Sequence, residues 1–265
     1  MKRIDFHVHA KLSKMFSFDP SALYRMIAQA QRVRLDGFAL TEHFHAANFW
    51  GVHDELCRRF RYEDGIYVVD EAMRMLTGAE LSLRETCDVL LLGSLERLRR
   101  FDGSLARPAT AGYKPFFAEA VAAARQAGLF MIGAHMFRPG KELAKLGSER
   151  LQALDALEAN GKDFFGDTRV IASAQRMGRP VVGGSDAHYW PQVGIKSTVL
   201  PIAEVGHAAV VHAIREGRTR IESLSYGPLA VRISGTHKFV LKAKRRLYGT
   251  ESGQPASDAL ERRVG

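Results

Sequence analysis

The chain has 265 residues, 46% hydrophobic and 25% charged, an ordinary globular composition that suits one large α/β domain or two small ones. Its two cysteines, Cys57 and Cys87, have no ligand-like spacing, which argues against a disulfide scaffold and for a reducing cytoplasm. The formal net charge of +9 favours anionic partners such as phosphates, nucleic acid or an acidic surface.

The N-terminus enters an apolar run, residues 3–8, which reads as a strand carrying Asp5, His7 and His9 rather than as a signal core. No apolar stretch is long enough to span a membrane. Asp19-Pro20 reads as an N-cap and first helical turn, with Leu23, Ile27 and Ala30 on one face. Further strands are expected at 37–40, 73–80, 88–93, 129–134, 156–159 and 180–184. Helices are expected after Pro115, ending at Gly128, and around Val170, Ala174 and Met177, ending at Gly178. Residues 44–65, 94–114 and 136–150 read as long loops, the kind that wall or cover a site. Alternating strands and helices argue for a parallel α/β sheet or barrel.

The chemistry-bearing residues gather where these strands end. They are His7 and His9, Glu42 and His43, Glu80, His135, Glu158, and Asp186 and His188. In a barrel the C-terminal rim carries the active site. Side chains two apart on a strand point the same way, so His7 and His9 can reach one ion together. Imidazole and carboxylate are ligands for Zn, Mn or Fe. His45 and His53 belong to no such cluster and read as loop histidines.

Six motifs taken together resemble the PHP superfamily of polymerase- and histidinol-phosphatase-type metallohydrolases. They are Asp5-Phe6-His7-Val8-His9, Leu40-Thr41-Glu42-His43, Thr77-Gly78-Ala79-Glu80, Gly133-Ala134-His135, Glu158-Ala159-Asn160-Gly161 and Gly184-Ser185-Asp186-Ala187-His188. The resemblance covers roughly residues 3–190. It implies a distorted (β/α)7 barrel with a C-terminal extension, and a catalytic centre of two or three divalent ions. By position, His7, His9, Glu80 and Asp186 would hold the first ion. Glu80 would bridge to a second at His135, and His43 and His188 would hold a third. The reaction implied is hydrolysis of a phosphoester. A phosphorylated small molecule is the leading substrate class, nucleic acid cut in nuclease fashion is the alternative, and a non-catalytic metal-binding module is a third reading.

Two departures from the family pattern stand out. No His or carboxylate follows His9 before Asp19. The fourth strand is followed by Gly93-Ser94-Leu95-Glu96, where many relatives read Gly-Ser-x-His. Glu96 therefore offers itself as a replacement ligand or as the start of a charged helix. Arg138 is the expected phosphate-gripping residue, with Lys11, Lys14 and Arg84 as alternatives.

The barrel is expected over residues 1–222, a basic segment packed on it over 223–250, and a polar tail over 251–265. Between Leu224 and Thr250 there is no Asp or Glu, whereas Arg232, Lys238, Lys242, Lys244, Arg245 and Arg246 all fall there. His237 to Tyr248 is patterned as a helix. Its outer face is open to two readings, a solvated cationic surface or a contact for phosphate backbones or anionic membranes.

Overall fold

The computed structural model describes residues 1–12, 16–46, 48–163 and 166–248, without the side chains of Lys242 and residues 244–248. Lys14 and the 251–265 tail lie outside the described residues. In chain order the elements are β1 (Lys2–Val8), α1 (Pro20–Arg32), β2 (Gly37–Leu40), α2 (Phe49–Arg59), β3 (Arg61–Glu63), β4 (Ile66–Val68), β5 (Arg74–Ser82), β6 (Asp88–Leu92), α3 (Leu95–Ser104), α4 (Phe117–Ala127), β7 (Phe130–Gly133), α5 (Ser148–Leu151), β8 (Ala156–Asn160), α6 (Asp167–Met177), β9 (Val181–Gly184), β10 (Lys196–Leu200), α7 (His207–Arg215), β11 (Arg220–Ser223) and α8 (Gly227–Tyr248).

The strands form a mixed, nearly closed barrel. Hydrogen bonding runs β1-β2-β5-β6-β7-β8-β9. A parallel bridge between Val8 and Ala187 then brings the two ends together at the rim. β10 and β11 continue the sheet beyond β1 as antiparallel strands. All seven strands expected from the sequence are present. The β/α alternation is not strict, however, because β6 runs antiparallel to both β5 and β7. The start of β6 therefore lies on the rim where β5 and β7 end, and its own end lies on the opposite rim.

The local signals explain most helix boundaries. Asp19 caps α1 by accepting the Ser21 N–H at 2.9 Å. Gly128 and Gly178 end α4 and α6 with φ of 70° and 61°, a backbone that glycine adopts without strain. Two expected loops are instead structured. The stretch 44–65 contains α2 and β3, and 94–114 contains α3. In α2, Phe49, Val52, His53 and Leu56 bury one face at helical spacing, so His53 is a helical residue.

Alternation along β1 separates core from site. Ile4 and Phe6 pack with Leu76, Leu90, Ile132 and the α7 residues Val210 and Ile214. Val8 packs against Leu23, Met26, Ile27 and Ala30 of α1. A larger apolar cluster joins β5 and β6 to α3 and α4. Asp5, His7 and His9 take the other face of β1 and are fully buried there.

Candidate metal centre

Asp5 fastens the site together. Its carboxylate accepts the N–H groups of His7 at 3.1 Å, Ser185 at 2.8 Å and Gly194 at 2.9 Å, which ties β1 to the loop after β9. Gly184 makes the close approach possible. A Cβ there would lie 2.6 Å from the His7 Cβ and 2.7 Å from Glu158 Oε1. The Glu42–His43 segment after β2 lies against β5, where Glu80 N–H donates to the Glu42 carbonyl at 2.9 Å. His135 and Asp186 both have φ of 53°, in the left-handed region that non-glycine residues rarely occupy. Such strain is concentrated at functional sites, where the surrounding structure enforces it.

These elements bring their side chains to one place. His7 Nδ1 lies 2.7 Å from Glu158 Oε1, which orients the ring and turns Nε2 inward. His7 Nε2 and His9 Nε2 are 3.1 Å apart, and His9 Nε2 lies 3.4 Å from Asp186 and 3.5 Å from Glu80. His135 Nε2 reaches Glu80 Oε1 at 2.9 Å. On the other side His188 Nδ1 lies 3.3 Å from Asp186. Among the described residues, three groups have ligand atoms all within 4.8 Å of one another: His7, Glu80 and His135; His7, His9 and Asp186; and His9, His43 and His188.

The donor set fits divalent cations. Two imidazole nitrogens at 3.1 Å need a proton or a cation between them. Glu80 Oε2, His9 Nδ1 and His43 Nδ1 are buried without a hydrogen bond. His43 Nδ1 lies 2.5 Å from Glu80 Oε2, yet without hydrogen-bond geometry. Leaving such a group unsatisfied costs about 1–3 kcal/mol, and a cation among them would remove that cost.

Electrostatics point the same way. Burial raises the carboxyl pKa of Glu80, but His43 and His135 outweigh it and hold the group well below the carboxylate range. Burial also opposes ionisation of Asp186, and Lys162 and His7 overcome it. Burial disfavours the His7 cation, but Glu158 and Asp186 raise its pKa well above the usual imidazole range. His188 goes the opposite way, pushed down by burial and then by His9 and Lys162. The result is a set of ionised carboxylates facing imidazoles.

The expected ligands His7, His9, His43, Glu80, His135, Asp186 and His188 are therefore brought together. Glu96 is not. It starts α3 beyond the end of the reversed β6, its side chain is 80% exposed, and it pairs with Arg100. Asp88, at the start of β6, is the carboxylate on the site's rim, 3.8 Å from His135 Nε2. Sequence reasoning missed it because a parallel β6 would have put it at the far end.

The expected phosphate grips are also redistributed. Arg138 directs its guanidinium to Asp186 at 2.8 Å, Asn160 at 2.6 Å and Asp163 at 3.0 Å. It braces the Asp186 carboxylate rather than presenting an uncommitted fork. Arg84 lies over the Phe116 ring, 4.9 Å from its centroid, at the tip of the β5–β6 turn. The Lys11 N–H donates to Glu42 at 3.0 Å, and its side chain lines a cavity beside His188. Two lysines that carried no motif stand at the rim. Lys141 pairs with Asp88, and Lys162 lies 3.0 Å from Asp186. Glu42, the neighbour of His43, lies 3.8 Å from His9 Nδ1. His45 contacts the His43 ring at 5.7 Å between centroids. His53 is bonded to the Tyr67 hydroxyl at 2.8 Å, away from the cluster.

The cavity beside His188 has a volume of about 710 Å3. Phe16, Phe18, Tyr189 and Trp190 line it, with Lys11 and Arg25 as its cations, and α8 contributes His237 and Leu241. His237 stacks on Tyr189 at 4.4 Å. The C-terminal helix is thus longer than its expected start at His237, and it forms a wall of the cavity next to the centre.

Comparison with known proteins bears on the fold. Residues 168–219 match a family model described as PHP-associated. No curated protein matches the chain by sequence. Among solved structures, PsfC from Pseudomonas syringae PB-5123 is 26% identical with a TM-score of 0.73, over 91% of this chain and 98% of PsfC. The lesion-specific endonuclease EndoQ from Pyrococcus furiosus is 18% identical with a TM-score of 0.62, over 83% of this chain and 57% of that one. A two-domain protein from Bacteroides vulgatus ATCC 8482, containing a predicted PHP-like metal-dependent phosphoesterase, is 15% identical with a TM-score of 0.54, over 84% and 64%. The chain spans little more than half of the endonuclease, and at these identities the last two bear on fold alone.

Proposed function

We propose that the chain is a PHP-type metal-dependent phosphoesterase acting on a small phosphorylated molecule, a reading supported by the matched PHP-associated segment at residues 168–219. The observation that carries this reading is the buried convergence of His7, His9, Glu80, His135 and Asp186. Zn, Mn and Fe suit these ligands. His7, His9, Glu80 and Asp186 would hold one ion, Glu80 and His135 a second, and His43 with His188 a third. Bound ions would lower the pKa of water from about 15.7 towards ~7 and offset charge on phosphate oxygens.

The chain's own residues have distinct roles around that chemistry. Glu158 holds the His7 ring in place through the nitrogen facing away from the ions, at 2.7 Å. Arg138 fixes Asp186 and Asn160 together. Lys162 and Lys141, each on one carboxylate of the rim, are the cations placed to meet phosphate oxygens. The cavity beside His188 is of a size that suits a small leaving group.

A nuclease reading has one specific support, the shared fold with endonuclease Q, which is known in complex with a 27-mer duplex substrate carrying an abasic lesion. The two readings separate in one assay. Protein loaded with Mn or Zn is tested for phosphate release from a panel of small phosphomonoesters and for cleavage of labelled oligonucleotides. Release from monoesters with intact oligonucleotides is the expected result. Oligonucleotide cleavage alone would establish the nuclease. Inactivity towards both, with full metal loading, would leave a non-catalytic module. Free Cys57 and Cys87 accord with a cytoplasmic setting.

A further inference from the structure

Helix α8 presents large apolar side chains to solvent: Leu229 is 60% exposed, Ile233 51%, Phe239 74% and Val240 44%. Leu229, Ile233 and Val240 fall on one face at helical spacing, and Phe239 widens it. Elsewhere on the helix Ala230 and Ser234 are buried, and His237 stacks on Tyr189, so the helix is seated on the protein with this stripe outward. The same stretch is charged in one sense. Between Leu224 and Thr250 the sequence has Arg232, Lys238, Lys242, Lys244, Arg245 and Arg246 and no acidic residue.

We infer that α8 docks this protein onto an anionic lipid surface, its apolar stripe entering the headgroup boundary and its cations meeting the lipid phosphates. An exposed apolar stripe on a helix whose sequence is rich in cations and free of acids is what interfacial binding uses. Three other occupants fit less well. A nucleic-acid backbone would use the cations but gain nothing from exposed Leu, Ile, Val and Phe. A second copy would press two acid-free helices of +9 chains together, a like-charge contact. Residues 249–265 contain only Leu260 and Val264 as large apolar side chains, too few to cover the stripe. The inference stands apart from the metal chemistry, because none of the four apolar residues contributes to the metal cluster or to the cavity beside His188.

The test is co-sedimentation of the full chain with vesicles of phosphatidylcholine alone or with added phosphatidylglycerol. Binding to the anionic vesicles, weakened by salt, is expected, with little on the neutral ones. Combining L229S, I233S and F239S should weaken binding by a factor on the order of ten for each side chain. R232Q with K238Q should weaken it on anionic vesicles. Circular dichroism and metal uptake report whether each variant folds, and F239S alone, at the most exposed position, replaces the triple variant if that one does not. Absence of binding to anionic vesicles at low salt would overturn the inference. So would equal binding by the serine variants, or a dimer in solution that those variants convert to monomer.

Discussion

Asp186 is the residue on which the site's geometry converges. It contacts His7, His9, His188, Arg138 and Lys162, all within 4.0 Å, from a left-handed backbone position. Asp186→Asn keeps the volume but removes the negative charge that two cations and the proposed ions share. We expect at least a hundredfold loss of phosphoester turnover with near-normal circular dichroism, a factor equal to about 2.7 kcal/mol. Near-parental turnover in the folded variant would exclude Asp186 from the metal centre. The proposed ligands were legible in the sequence because each lies at or near the end of a strand and carries metal-binding chemistry. The residues that orient them were less so. Asp88, Lys141 and Lys162 are ordinary charged residues until the fold sets Asp88 beside His135, Lys141 beside Asp88 and Lys162 beside Asp186. Arg138 shows the converse, since its position after His135 was legible but its commitment to Asp186 and Asn160 depends on the loops after β7 and β9 and the end of β8.

Reversal of a single element accounts for the largest difference between sequence and structure. The sequence supplies the apolar run of β6 but no sign of its direction, because an antiparallel strand and a buried parallel one can share a composition. The short turn from Leu83 to Cys87 was the available clue, since a parallel strand needs a much longer crossover. Direction decides which end of β6 meets the metals. Glu96→Ala should therefore leave metal content and turnover unchanged and alter stability by no more than about 0.5 kcal/mol, as an exposed i,i+4 ion pair does. Asp88→Asn should lower turnover and weaken uptake of the ion nearest His135. Elemental analysis and steady-state kinetics on the two variants check both. A loss confined to the Glu96 variant would mean that the strand's direction is wrong.

Also at this scale, α2 carries a histidine that links burial to pH. Burial pushes the His53 pKa down to about 4, so the folded protein holds this ring neutral. An unfolded histidine has a pKa near 6.5. The folded state is thus favoured above pH 6.5 and loses that advantage as pH falls from 6.5 towards 4, by up to about 3 kcal/mol. The clean comparison is His53→Leu made in a Tyr67→Phe background, which avoids leaving the Tyr67 hydroxyl buried without its partner. Melting between pH 7 and pH 4.5 should fall less steeply with His53→Leu than in the Tyr67→Phe protein alone. Parallel pH dependence in the two would show that His53 is not held neutral by the fold.

For the whole molecule, the barrel gathers charge that a chain of this size buries only with compensation. Asp5, Glu42, Glu80, Asp88, Glu158 and Asp186 are all buried, together with His7, His9, His43 and His135. Burying carboxylates in such number is costly unless cations accompany them. Protons and the rim lysines supply part of that charge, and the proposed ions would supply the rest. Glu158 and Asp186 raise the His7 pKa and so favour its protonated form, and that proton must leave for His7 to become a ligand. Metal uptake should therefore release protons, and affinity should fall as pH decreases. We expect at least two Zn or Mn ions per chain by elemental analysis. Chelator-treated protein should melt lower than the loaded form, with the difference set by free metal relative to its Kd. Titration calorimetry in buffers of different ionisation enthalpy measures the protons directly. Stoichiometric binding with no proton release would mean that His7 is neutral before the metal arrives. A protein that takes up neither Zn nor Mn, and melts identically with and without chelator, would mean that its buried carboxylates and imidazoles balance one another without ions.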